Sequence, residues 1–434
     1  MSSIFPFPGW RFDPGKVDLS QVVSPPYDVI DPGEQTALYA RDPHNVVRLI
    51  LGLNQPDDSP RHNRYTRAAA HLDIWRSDNL FLQDRPAVYL YEQRFTSGGA
   101  TTSRLGFLAR VRLSEWGREG VYPHEKTLSG PKADRLELIR ATRGNLEPIF
   151  GLLADPEGEV ENTLANLVDY RPFLDFSLDG VENRMWVVDD DERLHRLLSL
   201  MPEPRLFIAD GHHRYETSLA YQLEVREKMR QAGQIPPLRG DLDCDYILMY
   251  IVPDSDPGLV IWPTHRLLHS LPDFSAQNFL QAASRSFTVS PTSRESLLQD
   301  LPADGLPLFG FSDGKDYWIL RLNSQQSMEE RYPEAPEAWR VLDVAVLHSL
   351  LLEEILGIDE GKLLRRENVN YRRDASATLE EVERGQDGAQ GAFILRATPM
   401  HQVRDISEAG AVMPQKSTYF YPKPLSGTIF HLFW

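Results

Sequence analysis

Hydrophobic and polar positions follow two different periods along the chain, and these periods predict both helices and strands. Apolar residues three and four positions apart predict a helix over 61–77, with Ala68, Leu72 and Trp75 on its buried face. Two β-rich runs, 87–95 and 105–113, flank the turn-forming sequence TSGGATTS and predict a hairpin. The mixture predicts an α+β fold with mixed sheets and flanking helices.

The clearest local unit is a predicted strand, a turn and a long helix. An apolar run over 205–209 is followed by Asp210 and Gly211, and a helix is then predicted to about residue 232. Strand ends of this kind lie at a sheet edge, where α/β proteins commonly bind ligands. A second long helix is predicted over 342–356, where the apolar neighbours of His348 indicate a core histidine rather than a ligand-binding one.

The succession of elements divides the chain into three regions. An N-terminal α+β region is predicted over 1–158, a region containing the strand–turn–helix unit over 159–272, and a C-terminal α+β region over 273–434. One compact body remains the alternative to this division.

Composition and charge narrow the class of protein. The chain has 434 residues, of which 41% are hydrophobic, so a packed core is expected rather than disorder. Its net charge of −17 argues against a protein that binds the nucleic-acid backbone. Cys244 is the single cysteine, which excludes an intrachain disulfide and favours a reducing, cytoplasmic location. No apolar run reaches the roughly 18 residues of a membrane helix, so no membrane span is expected.

The start of the long helix after Asp210 carries the strongest chemical signal. His212, His213 and Arg214 follow Gly211 there, where free N–H groups and the helix dipole favour an anion. Arg214 can bind phosphate oxygens, and Asp210 can bind magnesium or accept a proton. The alternative is that Asp210 only caps the helix. Cationic residues oppose the dipole at a helix start, which favours an anion site.

The loop HEKTLSGPKADR is a second candidate site, because it combines an acid, a base and several cations in an irregular segment. Glu125 is a candidate base or magnesium ligand, and the cations are candidates for phosphate binding. The segment lacks the Walker A pattern. A solvated polar loop is the alternative. The candidate residues are His124, Glu125, Lys126, Lys132 and Arg135.

Two further segments supply candidate binding residues. In MPQKSTYFYPK a cation and two hydroxyls precede an aromatic stretch, a combination that can bind a phosphate or a carboxylate. In SPPYDVI two prolines stiffen the approach to a carboxylate, and NVVRLIL places a charge in a predicted apolar strand. Ordinary turns and a paired arginine are the alternatives. The phosphate-binding candidates are Lys416, Ser417 and Thr418, and the substrate-binding candidates are Tyr27, Asp28 and Arg48.

Two resemblances follow from these motifs. ADGHHR before a helix resembles the nucleotide-binding box of the ParB and sulfiredoxin superfamily, some members of which are nucleotide-dependent free-serine kinases. The segments SPPYDVI, NVVRLIL, HEKTLSGPKADRLELIRATRGNLEPIFGL, FIADGHHRYETSLAY and MPQKSTYFYPKPLSG are similar to the domain-of-unknown-function family numbered 1015. The resemblance implies a ParB-like strand–DGHHR–helix unit within the α+β fold.

Residues and resemblance together predict a nucleotide-binding enzyme. The expected reaction is magnesium-dependent phosphoryl transfer from ATP or ADP to a small hydroxyl metabolite, and the resemblance points to free serine. Asp210, Glu125, His212 and His213 are the candidate catalytic residues, with Asp210 and Glu125 as the magnesium ligands. A phosphate-ester hydrolase and a non-catalytic nucleotide sensor are the alternatives.

Overall fold

The chain forms two compact units in a computed structural model. The first contains residues 1–123, 127–260 and 422–434, and the second contains residues 124–126 and 261–421. The structure describes residues 3–127, 129–169, 171–299, 301–302 and 305–434. Leu128, in the predicted HEKTLSGPKADR loop, lies outside these ranges. The first unit runs across the sequence boundary suggested at 158, and the three-region division stays a prediction.

A nine-stranded mixed sheet forms the centre of the first unit. Two pairs of neighbouring strands are parallel. Leu206–Asp210 is parallel to Val121–Tyr122, and Tyr246–Pro253 is parallel to Ile149–Leu153. Ile4–Phe5 pairs with the edge of the fifth strand. The order is Val121–Tyr122, Leu206–Asp210, Ile149–Leu153, Tyr246–Pro253, Ala100–Arg112, Val88–Ser97, Val181–Val188 and Leu174–Leu178.

Helices flank this sheet, and two short strand pairs complete the unit. The helices are Leu19–Val22, Pro32–Arg41, Val47–Ile50, Arg64–Ser77, Ser129–Thr142, Glu159–Leu167, Asp191–Leu198 and His212–Gln231, with a 3₁₀ turn at Asp243–Asp245. The short pairs are Trp10–Phe12 with Phe81–Gln83, and Gly144–Asn145 with His431–Leu432.

An antiparallel six-stranded sheet forms the centre of the second unit. Its order is Phe287–Thr292, Tyr317–Leu322, Leu308–Ser312, Ala389–Ile394, His265–His269 and Val369–Arg372. Two more short strands are Val260–Trp262 and Tyr419–Tyr421. The helices are Ala276–Ala283, Arg294–Leu298, Gln326–Arg331, Glu337–Arg340, Asp343–Val346, Glu360–Arg365, Ala375–Glu383 and Met400–Glu408, with a π-helix at Leu347–Glu353 and a 3₁₀ turn at Gln386–Gly388.

The mixed α+β fold class is confirmed, and several elements follow from local sequence. The helix predicted over 61–77 runs from Arg64 to Ser77, because the Asn63 side chain accepts from two N–H groups of its first turn. The hairpin closes between Ser97 and Ala100 around two glycines with positive φ, so its strands extend into the predicted loop.

Two elements differ from their predicted form. NVVRLIL contains the short helix Val47–Ile50 instead of a strand, and Arg48 lies on that helix. The helix predicted over 342–356 is α-helical only over Asp343–Val346 and continues as a π-helix. The apolar pattern predicted a continuous helix and did not indicate the change from an α-helix to a π-helix.

A buried ion pair joins the His212–Gln231 helix to the start of a central strand. The fully buried Asp245 carboxylate accepts two hydrogen bonds from Arg226 Nη2, at 2.7 and 2.8 Å, and one from Gln222 Nε2 at 2.9 Å. The N–H groups of Gly240 and Leu242 also donate to it. Burial raises the Asp245 pKa, but the hydrogen bonds from these donors lower it by a larger amount. The carboxyl pKa therefore lies below its usual value.

We therefore expect Asp245→Asn to lower the free energy of unfolding by about 3 kcal/mol at neutral pH, since it leaves the Arg226 charge buried without compensation. Urea denaturation of the full chain, followed by a probe in the first unit, measures this loss. Glu224→Gln is the matched control, because Glu224 pairs with the more exposed Arg140 and Lys228 and its loss is worth less than about 1 kcal/mol.

The stabilisation by Asp245 depends on pH in a defined direction. A carboxyl with a lowered folded-state pKa stabilises the fold above its unfolded pKa, about 3.9, and loses this effect as the pH falls towards the folded value. The difference between the native chain and Asp245→Asn should therefore be largest above about pH 5 and should shrink in acid. A difference that stays constant down to about pH 2 would contradict this assignment.

Candidate functional site

Asp210 lies between two cations at the end of its strand. Its Oδ2 accepts a hydrogen bond from Arg214 Nη2 at 2.8 Å, and its Oδ1 pairs with Lys423 Nζ. The Asp210 and Lys423 side chains are only 12% and 10% exposed. Burial raises the Asp210 pKa, but Lys423 and Arg214 outweigh it and hold that pKa well below its usual range. Asp210 is therefore ionised at neutral pH.

Glycine is required at the turn after Asp210. Gly211 has a φ of +94°, and a Cβ there would lie 2.7 Å from Ile149 Cγ2. The predicted helix begins at His212 directly after this turn, with no acidic residue in its first turn and no side-chain cap. The positive end of the helix dipole lies at this helix start, and the anion site predicted there stays a prediction. His212 is buried and His213 is half-buried.

Arg214 is anchored more firmly than a free phosphate-binding arginine. Its Nη1 donates to the Pro148 carbonyl at 2.8 Å and its Nη2 donates to Asp210. Its buried Nε has no hydrogen-bond partner among the described residues. Nη2 of Arg214 therefore positions the Asp210 carboxylate, Nη1 fixes the guanidinium to Pro148, and Nε–H is the donor left over in this part of the structure.

A second buried network lies around Glu147. Arg135 donates to Glu147 from Nη1 at 3.4 Å, and its guanidinium lies 3.9 Å above the Tyr27 ring centroid. Tyr27 donates its backbone N–H to Glu147 at 3.0 Å, and Ser426 donates its hydroxyl at 3.2 Å. Glu147 thus contacts residues of three segments that the sequence analysis singled out, namely SPPYDVI, HEKTLSGPKADR and MPQKSTYFYPKPLSG. Arg135 further pairs with its neighbour Asp134.

Other predicted residues of the first unit have local partners. Lys132 donates to Glu216 at 3.0 Å, and Thr127 donates to the same carboxylate. Arg48 donates to the Tyr39 carbonyl at 2.7 Å. Asp28 is exposed. Among the contacts that the structure records, none joins Lys132 or Arg48 to Asp210.

The remaining predicted residues come together in the second unit. His124 Nε2 lies 3.0 Å from Thr418 Oγ1, and the Lys416 N–H donates to Glu125 Oε1 at 3.4 Å. Ser417 donates its hydroxyl to the Pro414 carbonyl at 2.6 Å. The HEK and QKST segments therefore meet side by side. Lys126 lies at 3.5 Å from Glu360.

The structure thus sorts the candidates into two groups, one in each unit. Asp210 belongs to the first unit and Glu125 to the second, and a magnesium site shared by the two stays a prediction. Within the described ranges, no three His, Cys, Asp or Glu side chains form a metal-binding group. Asp210 fits magnesium only in the common arrangement in which substrate phosphates and water supply most ligands.

Sequence reasoning missed two residues of the first group, Lys423 and Glu147. Both lie in segments that carried the family resemblance, YPKPLSG and GNLEPIFGL. The signal available in the sequence was a lysine, Lys423, between two prolines.

The position of Lys423 makes a titration prediction. Lys423→Met removes one of the two cations that stabilise the ionised Asp210, so we expect the Asp210 pKa to rise. Carboxyl NMR of protein labelled with ¹³C at aspartate measures this shift, and Asp210→Asn assigns the resonance. Lys228 is an exposed lysine on the His212–Gln231 helix, and Lys228→Met should leave the Asp210 resonance unchanged.

The described residues contain no helix with the length and apolar character to span a membrane.

No curated protein matches the chain. Solved structures resemble it at low identity. A free serine kinase in complex with AMP is 13% identical, covering 69% of this chain and 83% of that one, with a TM-score of 0.33.

Two other structures are equally distant. SbnI with a C-terminal truncation from Staphylococcus aureus is 11% identical over 74% of this chain and 85% of its own, with a TM-score of 0.33. A conserved hypothetical protein from Pyrococcus furiosus is 15% identical over 71% of this chain and 90% of its own, with a TM-score of 0.32. Likenesses at this level assign neither an activity nor a ligand.

A protein-family model gives the firmer relation. The model described as "Protein of unknown function (DUF1015)" matches residues 4–345, which include the Asp210 turn, Glu147 and the HEK segment. The match covers well over half of the sequence, and the chain therefore belongs to the DUF1015 family.

Proposed function

We propose that this protein is a nucleotide-binding enzyme, a magnesium-dependent phosphotransferase that uses ATP or ADP and phosphorylates a small hydroxyl metabolite such as free serine. The observation that supports it most is the pair of cations, Lys423 and Arg214, around one ionised carboxylate at the Gly211 turn. These three groups together carry one net positive charge, which suits a phosphate, and Glu147 is a further anion that acts on Arg214.

The phosphate-binding groups in this proposal are of three kinds. Lys423 supplies a mobile ammonium group, and Arg214 supplies charge and its unused Nε–H. The helix that begins at His212 supplies backbone N–H groups and the positive end of its dipole. A phosphate that contacts these groups competes with Asp210 for Lys423, and the carboxylate is then available for a cation.

Asp210 is assigned to magnesium rather than to proton transfer. Its lowered pKa makes it a weak base at neutral pH, whereas an ionised carboxylate is a preferred magnesium ligand. The bound ion would neutralise charge on the transferred phosphoryl group. His212 and His213 remain the candidates for orienting that group, because both lie in the first turn of the helix.

Ligand screening by thermal shift provides the first test. Ligands that bind only the native state raise the melting temperature, so ATP or ADP with magnesium should stabilise the full chain. Assays with radiolabelled nucleotide then follow the label in the presence and absence of L-serine. Label in a phosphorylated acceptor supports the proposal, release of inorganic phosphate alone indicates a hydrolase, and binding without turnover indicates a sensor.

The role of Lys423 gives a sharper prediction. Lys423→Met should weaken nucleotide binding by about tenfold or more, the worth of one charge-assisted hydrogen bond. Isothermal titration calorimetry with ATP and magnesium measures this effect. Lys228→Met is the matched control, since Lys228 also pairs with a carboxylate but is exposed. Equal affinities of both variants and the native chain would remove Lys423 and its carboxylate partner from the nucleotide site.

A further inference from the structure

A cavity of about 240 Å³ lies entirely within the second unit, next to the HEK segment, of which Lys126 reaches its rim. Apolar and aromatic side chains form most of its wall. Tyr332 and Trp339 meet edge to face there, with ring centroids 5.0 Å apart. A cavity of about 150 Å³ is large enough for benzene, so this one accommodates a ring with a short polar substituent. Its other lining residues include Ile358, Leu363, Met413 and His348.

Arg266 is a buried cation directly behind the His348 ring. Its side chain is fully buried, and Glu125 acts on it as an anion without forming an ion pair among the described residues. Its Nη2 donates to the Lys416 carbonyl at 3.1 Å and to His348 Nε2 at 3.3 Å. Burial lowers the Arg266 pKa to about 10, which still leaves it charged at neutral pH. A buried cation without an ion-pair partner is costly, and binding an anion in contact with its hydrogen-bond network relieves that cost.

Arg266 also fixes the tautomer of His348. Arginine only donates hydrogen bonds, so His348 Nε2 must accept and carry no proton. Burial and the nearby Arg266 lower the His348 pKa well below its usual value, so the ring is neutral. Its single proton is therefore on Nδ1. This donor has no hydrogen-bond partner in the described part of the chain, and the ring is partly exposed at the cavity.

The charged groups at the rim pair with one another. Lys126 pairs with Glu360 at 3.5 Å, and Arg331 is shared by Glu353 at 3.3 Å and Glu354 at 3.0 Å. Arg266 is the cation that contacts the His348 ring from within the fold. A π-helical turn carries His348, and such turns occur frequently at functional sites.

We propose that this cavity is a second binding site, which takes a small monocarboxylate with an aromatic-sized apolar body. The carboxylate accepts the Nδ1 proton of His348 and balances the charge of Arg266. The apolar body packs against Tyr332, Trp339 and Leu363. The site is built wholly from the second unit and does not depend on the nucleotide site.

The first experiment uses the unmodified full chain and phenylacetate as the probe. Calorimetry should show binding of phenylacetate, with neutral phenylacetamide at least about tenfold weaker, because the amide lacks the charge that Arg266 requires. In protein labelled with ¹⁵N at histidine, the His348 spectrum should show a neutral ring protonated at Nδ1, and phenylacetate should shift the Nδ1 resonance. Equal binding of acid and amide, or no binding and no shift at about 10 mM, would overturn the proposal.

Two variants locate the site. His348→Leu removes the donor, and Leu364→Trp fills the cavity from a rim position that is 38% exposed, where a larger side chain is tolerated. Each should weaken phenylacetate binding by about tenfold or more. His401→Leu, at an exposed histidine, is the control and should bind normally. Native affinity in Leu364→Trp would place the ligand elsewhere, and displacement of phenylacetate by inorganic phosphate would make the site one for phosphate.

Discussion

The contact between Asp210 and its two cations is the constraint on which the first unit depends. Three charged groups are withdrawn from water together, and each would be costly without the others. Arg214 reaches Asp210 from the next turn of the chain, whereas Lys423 reaches it from the opposite end of the sequence. One carboxylate thus joins the central sheet, the start of the long helix and the C-terminal segment.

Local sequence was sufficient for the parts of the fold that short-range physics controls. The Arg64–Ser77 helix, the glycine hairpin and the turn at Gly211 each follow from a cap, a dipeptide or a periodic face. Asp210 and Arg214, which are close in sequence, were therefore predicted as candidate site residues. Lys423 was not predicted as part of this group, because its pairing with Asp210 spans 213 residues of sequence and produces no periodic pattern.

The sequence likewise does not show which charged side chains are buried or what they pair with. Arg214 and Arg266 each directly follow a histidine in the sequence. In the fold, Arg214 has a carboxylate and Arg266 has a histidine ring in its place. The apolar neighbours of His348 predict a core residue, whereas the structure places it half-buried at a cavity. Only the three-dimensional arrangement shows which ring nitrogen carries the proton.

The chain leaves the first unit after residue 260 and returns only at residue 422. During synthesis from the N-terminus, Asp210 and Arg214 are made roughly two hundred residues before Lys423 leaves the ribosome. The second unit can fold in this interval, while the first lacks its last structural segment. The Asp210 group therefore stays incomplete until the chain has been made as far as Lys423. A ribosome that stalls before this codon would leave the carboxylate of Asp210 with Arg214 but without its second cation.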